Sequence, residues 1–256
     1  MRQDRLELAR LVVETVQRRV AEADTVTAYR KPLVGCASAD DPRFRLLRHV
    51  AGPDHMMPRD LLPGARSVVS FFIPFGRSVV RSNARARKAV APEWAVAYLE
   101  TNDLIGGITD DLVELLHERG VGVAAEPATG KFDPVSLTSR WSHKSVGVIA
   151  GLGSLGLHQL VITEAGCAGR FGSLVVDAEL PRSPAGKKER CGYFHDGSCR
   201  ACIARCPVEA LSEVGGIDRA ACWTRCQEVA AVYAHLGVVE VCGKCAVGPC
   251  SFESSV

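Results

Sequence analysis

Cysteine is the residue whose number and spacing most clearly predict chemistry in this chain. Nine of its eleven cysteines fall in the last 66 residues. They are Cys191, Cys199, Cys202, Cys206, Cys222, Cys226, Cys242, Cys245 and Cys250. Thiolates are soft ligands that suit iron–sulfur clusters and zinc alike, so the spacing must decide between the two. Two 4Fe-4S clusters need eight thiolates, and the tail has enough of them.

The segment from Cys199 to Pro207 distinguishes these interpretations. Its spacing, Cys-x2-Cys-x3-Cys-Pro, is the second half of the bacterial ferredoxin pattern, in which the cysteine before proline ligates the other cluster. Structural zinc sites favour paired Cys-x2-Cys knuckles instead. Disulfides are disfavoured because the cysteine count is odd and the charged opening, Met1 to Glu7, is not an export signal. The spacing therefore predicts two 4Fe-4S clusters, with zinc as the alternative.

The composition predicts two domains and a cytoplasmic protein. A cysteine-rich tail follows about 185 residues of ordinary composition, which indicates domains at residues 1–182 and 187–256. The net charge of +2 is too small to indicate nucleic acid or a membrane surface as a partner. No apolar run reaches the roughly 18 residues that a membrane helix needs. We therefore expect no membrane partner.

Hydrophobic periodicity places helices and strands alternately along residues 1–182. Helices are predicted over residues 4–23, 94–119 (as one helix, or two broken at Gly106-Gly107) and 138–144. Strands are predicted over residues 33–38, 68–73, 121–125, 160–163 and 173–177, the last two joined by a glycine-rich loop over 164–172. Arg81 to Lys88 holds four cations in eight residues, and we predict a solvated loop that could meet an anionic partner. This alternation predicts an α/β or α+β domain. The cysteine spacing predicts that a small ferredoxin-like domain with two 4Fe-4S clusters follows it.

A glycine motif in the middle of the chain matches the dinucleotide fingerprint G-x-G-x-x-G at Gly151, Gly153 and Gly156. In a nucleotide site this motif opens a helix whose N-terminus faces the pyrophosphate. Here Leu157 to Thr163 follows, and that segment is typical of a strand. We therefore expect no binding of NAD(P)H or FAD, and predict that the glycines let the backbone approach another element or a large ligand.

Four motifs together resemble the epoxyqueuosine reductases, which are related to the corrinoid-dependent reductive dehalogenases. They are Asp60–Val69, Ala150–Gly156, Leu160–Thr163 and the cysteine tail. The resemblance covers roughly residues 30–250, and short relatives also share Trp141–Lys144, Gly166–Ser173 and Cys242–Cys245. It implies a reductase in which two clusters relay single electrons to a corrinoid or a substrate in the first domain.

The resemblance also implies how the cysteines are divided. One cluster would take Cys191, Cys199, Cys202 and Cys250, and the other Cys206, Cys222, Cys242 and Cys245. Cys226 follows Cys222 by one helical turn and could exchange roles with it. Cys36 and Cys167 fall outside both sets, and we predict that they are buried small hydrophobes.

Further residues are candidates for chemistry in the first domain. Asp133, His143 and His158 are the candidate proton donors, each with a structural role as the alternative. Gly151, Gly153, Gly156 and Arg170 are the candidate cofactor contacts. Cobalamin is the leading candidate for that cofactor, and Arg170 could instead bind an anionic substrate group.

The expected partners are an electron-donor protein of the ferredoxin or flavodoxin type and a small-molecule or corrinoid substrate. An alternative is an electron carrier, or a corrinoid-activating protein, without a substrate of its own. Epoxyqueuosine reduction on tRNA is a third hypothesis. It requires a basic face, which the net charge does not show.

Overall fold

The computed structural model describes residues 2–127, 132–184, 189–214, 216–254 and 256. The strands are β1 (Leu33–Ser38), β2 (Ser67–Pro74), β3 (Val123–Ala125), β4 (Phe132–Asp133), β5 (Thr138–Ser139), β6 (Gly153–Leu155), β7 (Val161–Thr163), β8 (Gly169–Val176), β9 (Leu211–Ser212) and β10 (Gly216–Ile217). The helices are α1 (Arg2–Ala21), α2 (Arg43–Val50), α3 (Pro58–Leu61), α4 (Arg77–Arg85), α5 (Pro92–His117), α6 (His143–Ile149), α7 (Gly192–Asp196), α8 (Ala201–Arg205) and α9 (Arg219–Val232). Three 3-10 turns complete the described tail, at Ala234–Leu236, Lys244–Val247 and Pro249–Ser251.

The centre of the N-terminal region is a four-stranded antiparallel sheet in the order β1-β2-β8-β3. Every residue of β2 is buried, because helices cover both faces of the sheet. Helices α1 and α5 pack on one face, against Phe71 and Ile73. On the other face α2 and α6 pack against Val68 and Val175. The predicted class of this region, α/β or α+β, is confirmed, as a helix–sheet–helix arrangement with antiparallel strands.

Several predicted boundaries differ from the structure. Helix α5 runs unbroken through Gly106-Gly107. Most of the predicted loop at Arg81 to Lys88 lies in α4, which is helical because it buries Val79, Val80 and Asn83 along one side. The predicted helix over residues 138–144 is wrong: β5 comes first, and α6 begins at His143. The Ser142 side chain accepts a hydrogen bond from the backbone N–H of Ser145 and so caps α6.

The predicted glycine-rich loop over residues 164–172 is shorter than expected, since β8 begins at Gly169. Its first residues pair with the end of β2, so Gly169 lies opposite Pro74. A Cβ at Gly169 would overlap the Ile73 carbonyl oxygen. Only glycine therefore allows β8 to begin this early, and the loop is reduced to residues 164–168.

The cysteine-rich tail is built from short helices, turns and the β9–β10 hairpin. One hydrophobic cluster joins it to the N-terminal region, with Phe75 and Trp94 from one side and Val229 and Val239 from the other. The predicted boundary between the regions overlaps residues 185–188, which lie outside the described residues. None of the described helices is long and apolar enough to cross a membrane.

Candidate functional site

Seven cysteines, six of them from the tail, lie in or beside the hydrophobic cluster that joins the two regions. Four are fully buried in it and three more pack against it. The four are Cys167, Cys191, Cys202 and Cys250, and the three are Cys206, Cys242 and Cys245. All eleven cysteines of the chain are free thiols. Single buried thiols are common as small hydrophobes, but a group of them is the donor set that a soft metal or an iron–sulfur cluster uses.

Cys206 shows how local sequence positions a thiol. A residue before proline is pushed out of the helical region, and Cys206 accordingly has φ −68° and ψ 115°, which ends α8. The chain then turns, and the backbone N–H of Ala210 donates to the Cys206 sulfur at 3.2 Å. The Cys-Pro pair thus leaves this thiol on the inner side of the turn with a hydrogen-bond donor already in place.

The first predicted set of four cysteines is brought together. Burial is the main reason that the pKa of the Cys202 thiol rises to about 11, and three neighbouring sulfurs contribute to the rise. Those neighbours are Cys250, Cys191 and Cys199. Charges affect a pKa in this way only over short distances, so these three sulfurs lie near that of Cys202.

The second predicted set is also brought together, next to the first. Burial is the main cause of the raised pKa of the Cys245 thiol, and four other sulfurs add to it. They are Cys222, Cys242, Cys202 and Cys206. Because Cys202 belongs to the first set, the two sets lie side by side, as an electron relay between two clusters would require.

Cys222 and Cys226 compete for one place in the second set. They lie one turn apart on α9, and both line the same cavity. A hydrogen bond from Cys226 lowers the pKa of Cys222 to about 7 and raises the pKa of Cys226 itself. The ammonium of Lys144 contributes to the lowered pKa of Cys222. The pair therefore favours Cys222 as the thiolate, which is the form that binds metal.

We accordingly expect Cys222→Ser to remove about half of the iron that the protein binds after anaerobic reconstitution, since each cluster holds four irons. Cys226→Ser should leave the iron content unchanged. The two variants are matched in chemistry, helix and burial. Iron per chain and the visible absorbance decide between them. Loss of iron only in Cys226→Ser would assign the ligand to Cys226 instead.

Cys250 lies in a contact group that the sequence did not predict. The Leu160 N–H donates to His158 Nδ1 at 3.1 Å, so the proton of His158 is on Nε2, which lies 3.3 Å from the Cys250 sulfur. The Cys167 sulfur is 3.7 Å from that of Cys250. These three side chains are buried and could together hold a metal ion. His158, predicted as a proton donor to substrate, thus faces a cysteine sulfur.

The segment that carries Cys250 is fixed to the loop before β8. The backbone N–H of Cys167 donates to the Cys250 carbonyl at 2.9 Å. A Cβ at Gly166 would overlap the backbone of Ser251, and Gly166 has φ +78°, so only glycine fits here. The glycine-rich motif Gly166–Ser173 therefore serves to bring the last cysteine into the site.

A cavity of about 340 Å³ lies between the two regions. The tail contributes the four cysteines of the second predicted set and Cys226, and the N-terminal region contributes Phe75, Trp94, Tyr98, Leu160 and Arg170. Its size is at the lower end of the range for ligand sites, about 300–1,000 Å³. It is a compact space, lined by thiols on one side and by aromatic rings and a cation on the other.

Three N–H donors at this cavity have no protein partner. Trp94 Nε1, Arg170 Nε and Arg225 Nε are all shielded from solvent, and none makes a hydrogen bond within the described part of the chain. A buried donor without a partner costs about 1–3 kcal/mol, so native structures rarely keep one. Donors facing several thiols fit a group rich in acceptors. The sulfides of an iron–sulfur cluster are such acceptors, and hydrogen bonds to cluster sulfurs tune their potential.

Gly243 fixes the loop between Cys242 and Cys245. It has φ +68°, and a Cβ at this position would overlap the indole of Trp94. Below the loop, the buried Lys244 ammonium donates to Asn83 Oδ1 at 2.9 Å, and the Asn83 amide donates to the Cys242 carbonyl at 3.1 Å. The loop is therefore clamped between α5 and α4.

His143 occupies a closed hydrogen-bond chain away from the cysteines. Trp141 Nε1 donates to Ser173 Oγ at 2.9 Å, and Ser173 Oγ lies 2.7 Å from His143 Nδ1. His143 Nε2 lies 3.2 Å from the Pro127 carbonyl, to which it donates. Burial lowers the pKa of His143, so the ring is neutral. Both ring nitrogens already have partners, and its role as a proton donor remains a prediction.

Asp133 lies on the exposed β4–β5 hairpin. Its carboxylate accepts a hydrogen bond from the backbone N–H of Val135 at 2.8 Å and another from Ser136 at 3.3 Å. These bonds lower the pKa of Asp133, so it is ionised at neutral pH. The adjacent Phe132 ring contacts Trp223 on α9 at a centroid distance of 4.9 Å. The hairpin thus rests beside Cys222, but Asp133 does not line the 340 Å³ cavity.

The glycine motif at Gly151, Gly153 and Gly156 packs against the chain itself. Gly153 lies in β6, opposite Thr163 of β7, where a Cβ would overlap the Ile162 carbonyl oxygen. A Cβ at Gly156 would come within 2.8 Å of His158. The motif thus follows a helix and opens a strand, the reverse of the order in a dinucleotide site. The cavity is lined by Arg170 but not by these glycines.

Tyr98 and Asn83 are site residues that sequence reasoning missed. The Tyr98 ring lies under the Arg170 guanidinium at 4.4 Å from its centroid, and both residues line the cavity. The helical period of α5 indicated only that Tyr98 is part of a core. No local pattern links Asn83 to Lys244, 161 residues later. For Cys167, its position in the glycine-rich motif Gly166–Ser173 was a signal from which its place in the site could have been predicted.

The fold of this chain is similar to that of solved epoxyqueuosine reductases. The Bacillus subtilis enzyme, with its catalytic aspartate loop swung out of the active site, matches with a TM-score of 0.58 and 17% identity. The match covers 94% of this chain and 65% of the enzyme. A selenomethionine-labelled epoxyqueuosine reductase gives a TM-score of 0.56 at 17% identity, over 94% of this chain and 66% of the other.

A third structure is an epoxyqueuosine reductase bound to a modified tRNA-Tyr stem loop. It matches with a TM-score of 0.55 and 18% identity, over 87% of this chain and 58% of its own. This chain thus spans less than two thirds of the length of these enzymes. No protein-family model and no curated protein sequence matches the chain. The resemblance predicted from the motifs is confirmed as a resemblance of fold.

Proposed function

We propose that this protein is an iron–sulfur reductase that passes single electrons through two 4Fe-4S clusters to a cofactor or substrate bound against the N-terminal region. The observation that carries the proposal is the convergence of two sets of four thiols, one of them lining a cavity with three unpartnered N–H donors. The tail, residues 187–256, would then be the small ferredoxin-like domain. The likeness of fold to reductases supports the same conclusion.

The residues of this chain would hold the clusters as follows. Cys191, Cys199, Cys202 and Cys250 would ligate the first, and Cys206, Cys222, Cys242 and Cys245 the second. When bound, the clusters supply one-electron transfer. His158 would donate to the Cys250 sulfur, and the Ala210 N–H to that of Cys206. Such donors stabilise the more negative, reduced state of a cluster.

The end of the cavity opposite the cysteines would receive the electron acceptor. Arg170 lies there with Tyr98, and its unpartnered Nε would hold an anionic group of a substrate or cofactor. The phenol of Tyr98 is protonated at neutral pH, because burial raises its pKa. It is therefore a further candidate for a proton donor and, unlike Asp133 and His143, it lines the cavity.

Cobalamin remains the leading candidate for the acceptor, on the basis of the resemblance. The cavity of about 340 Å³ has space beside the thiols for a compact group, and a corrin ring is larger than that space. Of the cofactor contacts that we predicted, only Arg170 lines the cavity. Arg170 is therefore the one predicted contact that would hold a corrinoid at this cavity, and a corrinoid would need more space than the cavity offers.

The experiment adds cob(II)alamin to the anaerobic, reconstituted protein and follows the cobalt signal by low-temperature EPR. We expect saturable binding that changes the signal, and weaker binding by Arg170→Gln. Arg119→Gln, in an exposed turn after α5, is the matched control. An unchanged cobalt signal in a protein with a full iron content would instead favour the electron-carrier hypothesis.

A further inference from the structure

Helix α4 carries a row of arginines on the side that faces solvent. Arg77, Arg81 and Arg85 are all exposed and follow one another at intervals of four residues. This spacing places them in one row along the helix. Arg87 and Lys88 follow directly and are also exposed. We call these five residues the basic stripe.

The basic stripe has no acidic counterpart in the described part of the chain. Other exposed arginines are paired, such as Arg59 with Asp40 at 2.9 Å and Arg10 with Glu14 at 3.2 Å. Among the described residues, none of the five members of the stripe makes an ion pair within 4.0 Å. Like charges four residues apart destabilise a helix. No acidic side chain of the described residues therefore neutralises the stripe, and its positive charge can attract an acidic partner.

The opposite side of α4 holds the loop that carries Cys242 and Cys245. Asn83 is fully buried, and its amide donates to the Cys242 carbonyl at 3.1 Å. Arg81 and Arg85 each lie two positions from Asn83, which is about 200° around the helix at 3.6 residues per turn. The stripe is thus separated from a predicted cluster ligand by the thickness of one helix, about 10 Å.

The stripe also begins beside the segment of Cys250. The Arg77 guanidinium lies over the Phe252 ring, 4.6 Å from its centroid. Arg30 donates to the carbonyls of Phe252 at 3.0 Å and Ala165 at 2.7 Å, and so fixes that segment. A molecule seated on the stripe would therefore lie close to ligands of both predicted clusters.

From this placement we propose that the basic stripe is the docking surface for the electron-donor protein, an acidic one-electron carrier of the ferredoxin type. The inference rests on the proposed iron–sulfur function. The donor loses one electron and a cluster of this protein gains it, and no bond forms or breaks. A positive surface attracts an acidic protein and can raise its association rate by about 10–10³-fold at low salt.

The test measures how fast the reconstituted protein is reduced by an acidic plant-type ferredoxin, followed by stopped flow at low ionic strength. We expect the Arg81→Glu/Arg85→Glu variant to react at least about tenfold more slowly, because steering is lost. The difference should shrink at high salt, where charges are screened. Arg45→Glu, on the exposed side of α2, is the matched control and should react within twofold of the unchanged protein.

Three outcomes are distinguishable. Photoreduced 5-deazariboflavin, a small uncharged reductant, reports whether the clusters of the variant are present and reducible. If the unchanged protein holds no reducible cluster, the proposed function itself is wrong. If the clusters are intact but ferredoxin reduces the variant as fast as the unchanged protein, the docking proposal is overturned. Loss of binding to a tRNA stem loop, with the ferredoxin rate unchanged, would make the stripe a nucleic-acid surface instead.

Discussion

Replacing Cys245 with serine is expected to remove about four of the roughly eight irons that the reconstituted protein should bind, because each 4Fe-4S cluster needs four thiolates. Cys245 lies at the centre of the second set, where its pKa responds to four neighbouring sulfurs. Cys202→Ser should remove the other half, from the first set. Each variant should also unfold at a lower temperature, since metal binding contributes directly to the stability of small ligand-built regions.

Cys36→Ser is the control for this prediction. Cys36 is a buried free thiol on β1, and burial raises its pKa to about 12. It packs with the α1–α5 face of the sheet, apart from the cysteine-rich tail. Its replacement should leave iron, sulfide and the visible spectrum unchanged. A protein that binds zinc stoichiometrically and shows no iron absorbance would contradict the prediction as a whole.

Gly243→Ala should disrupt the site without removing a ligand. Two costs combine: a non-glycine residue with positive φ costs about 1–2 kcal/mol, and overpacking against a buried ring costs about 1–3 kcal/mol more. Gly243 has φ +68° and its Cβ would overlap Trp94. Because the indole cannot move without disturbing α5, we expect the Cys242–Cys245 loop to shift and the second cluster to be lost or labile.

Gly216→Ala separates the two costs. Gly216 has φ +69°, almost the same as Gly243, but no atom of the described residues lies within 4 Å of the position a Cβ would take. Its replacement should cost only the backbone strain and leave the iron content unchanged. Denaturant unfolding and iron analysis of both variants provide the measurement. Equal iron contents in the two proteins would show that the Trp94 contact does not hold the loop.

The sequence predicted the elements whose residues carry strong local patterns. The apolar run of β2 and the helical spacing of apolar residues in α1 and α5 were sufficient to predict these elements. Their burial follows from the pattern of neighbouring residues alone. Helix α4 was missed, since its four cations in eight residues are typical of a loop. Its helical form depends on Val80 and Asn83, which face parts of the chain far away in sequence.

Of the candidate site, only the types of the ligand residues could be predicted from the sequence. Spacing around Cys199–Pro207 indicates the chemistry, but it contains no information on what lies opposite. The His158–Cys250 contact joins residues 92 positions apart, and Trp94, Arg170 and Arg225 meet only in the folded chain. Arg170, one of the predicted cofactor contacts, lines the cavity, and its role in binding a cofactor stays a prediction. At Gly151–Gly156 the glycines allow a close contact with the chain's own backbone. A glycine pattern in the sequence does not show whether such a contact is made with the chain or with a ligand.

The shared hydrophobic cluster has a consequence for the independence of the cysteine-rich tail. Its inner surface packs against Phe75 and Trp94, so a tail excised from the chain would expose apolar residues such as Val229 and Val239 to water. Free-standing ferredoxins complete their own core, and can be exchanged between electron-transfer chains. Here the cysteines and residues beside the sheet belong to one hydrophobic cluster, so we do not expect the tail to fold as a separate domain. If the proposed clusters are present, an electron that entered through them would be committed to the chemistry of this one polypeptide.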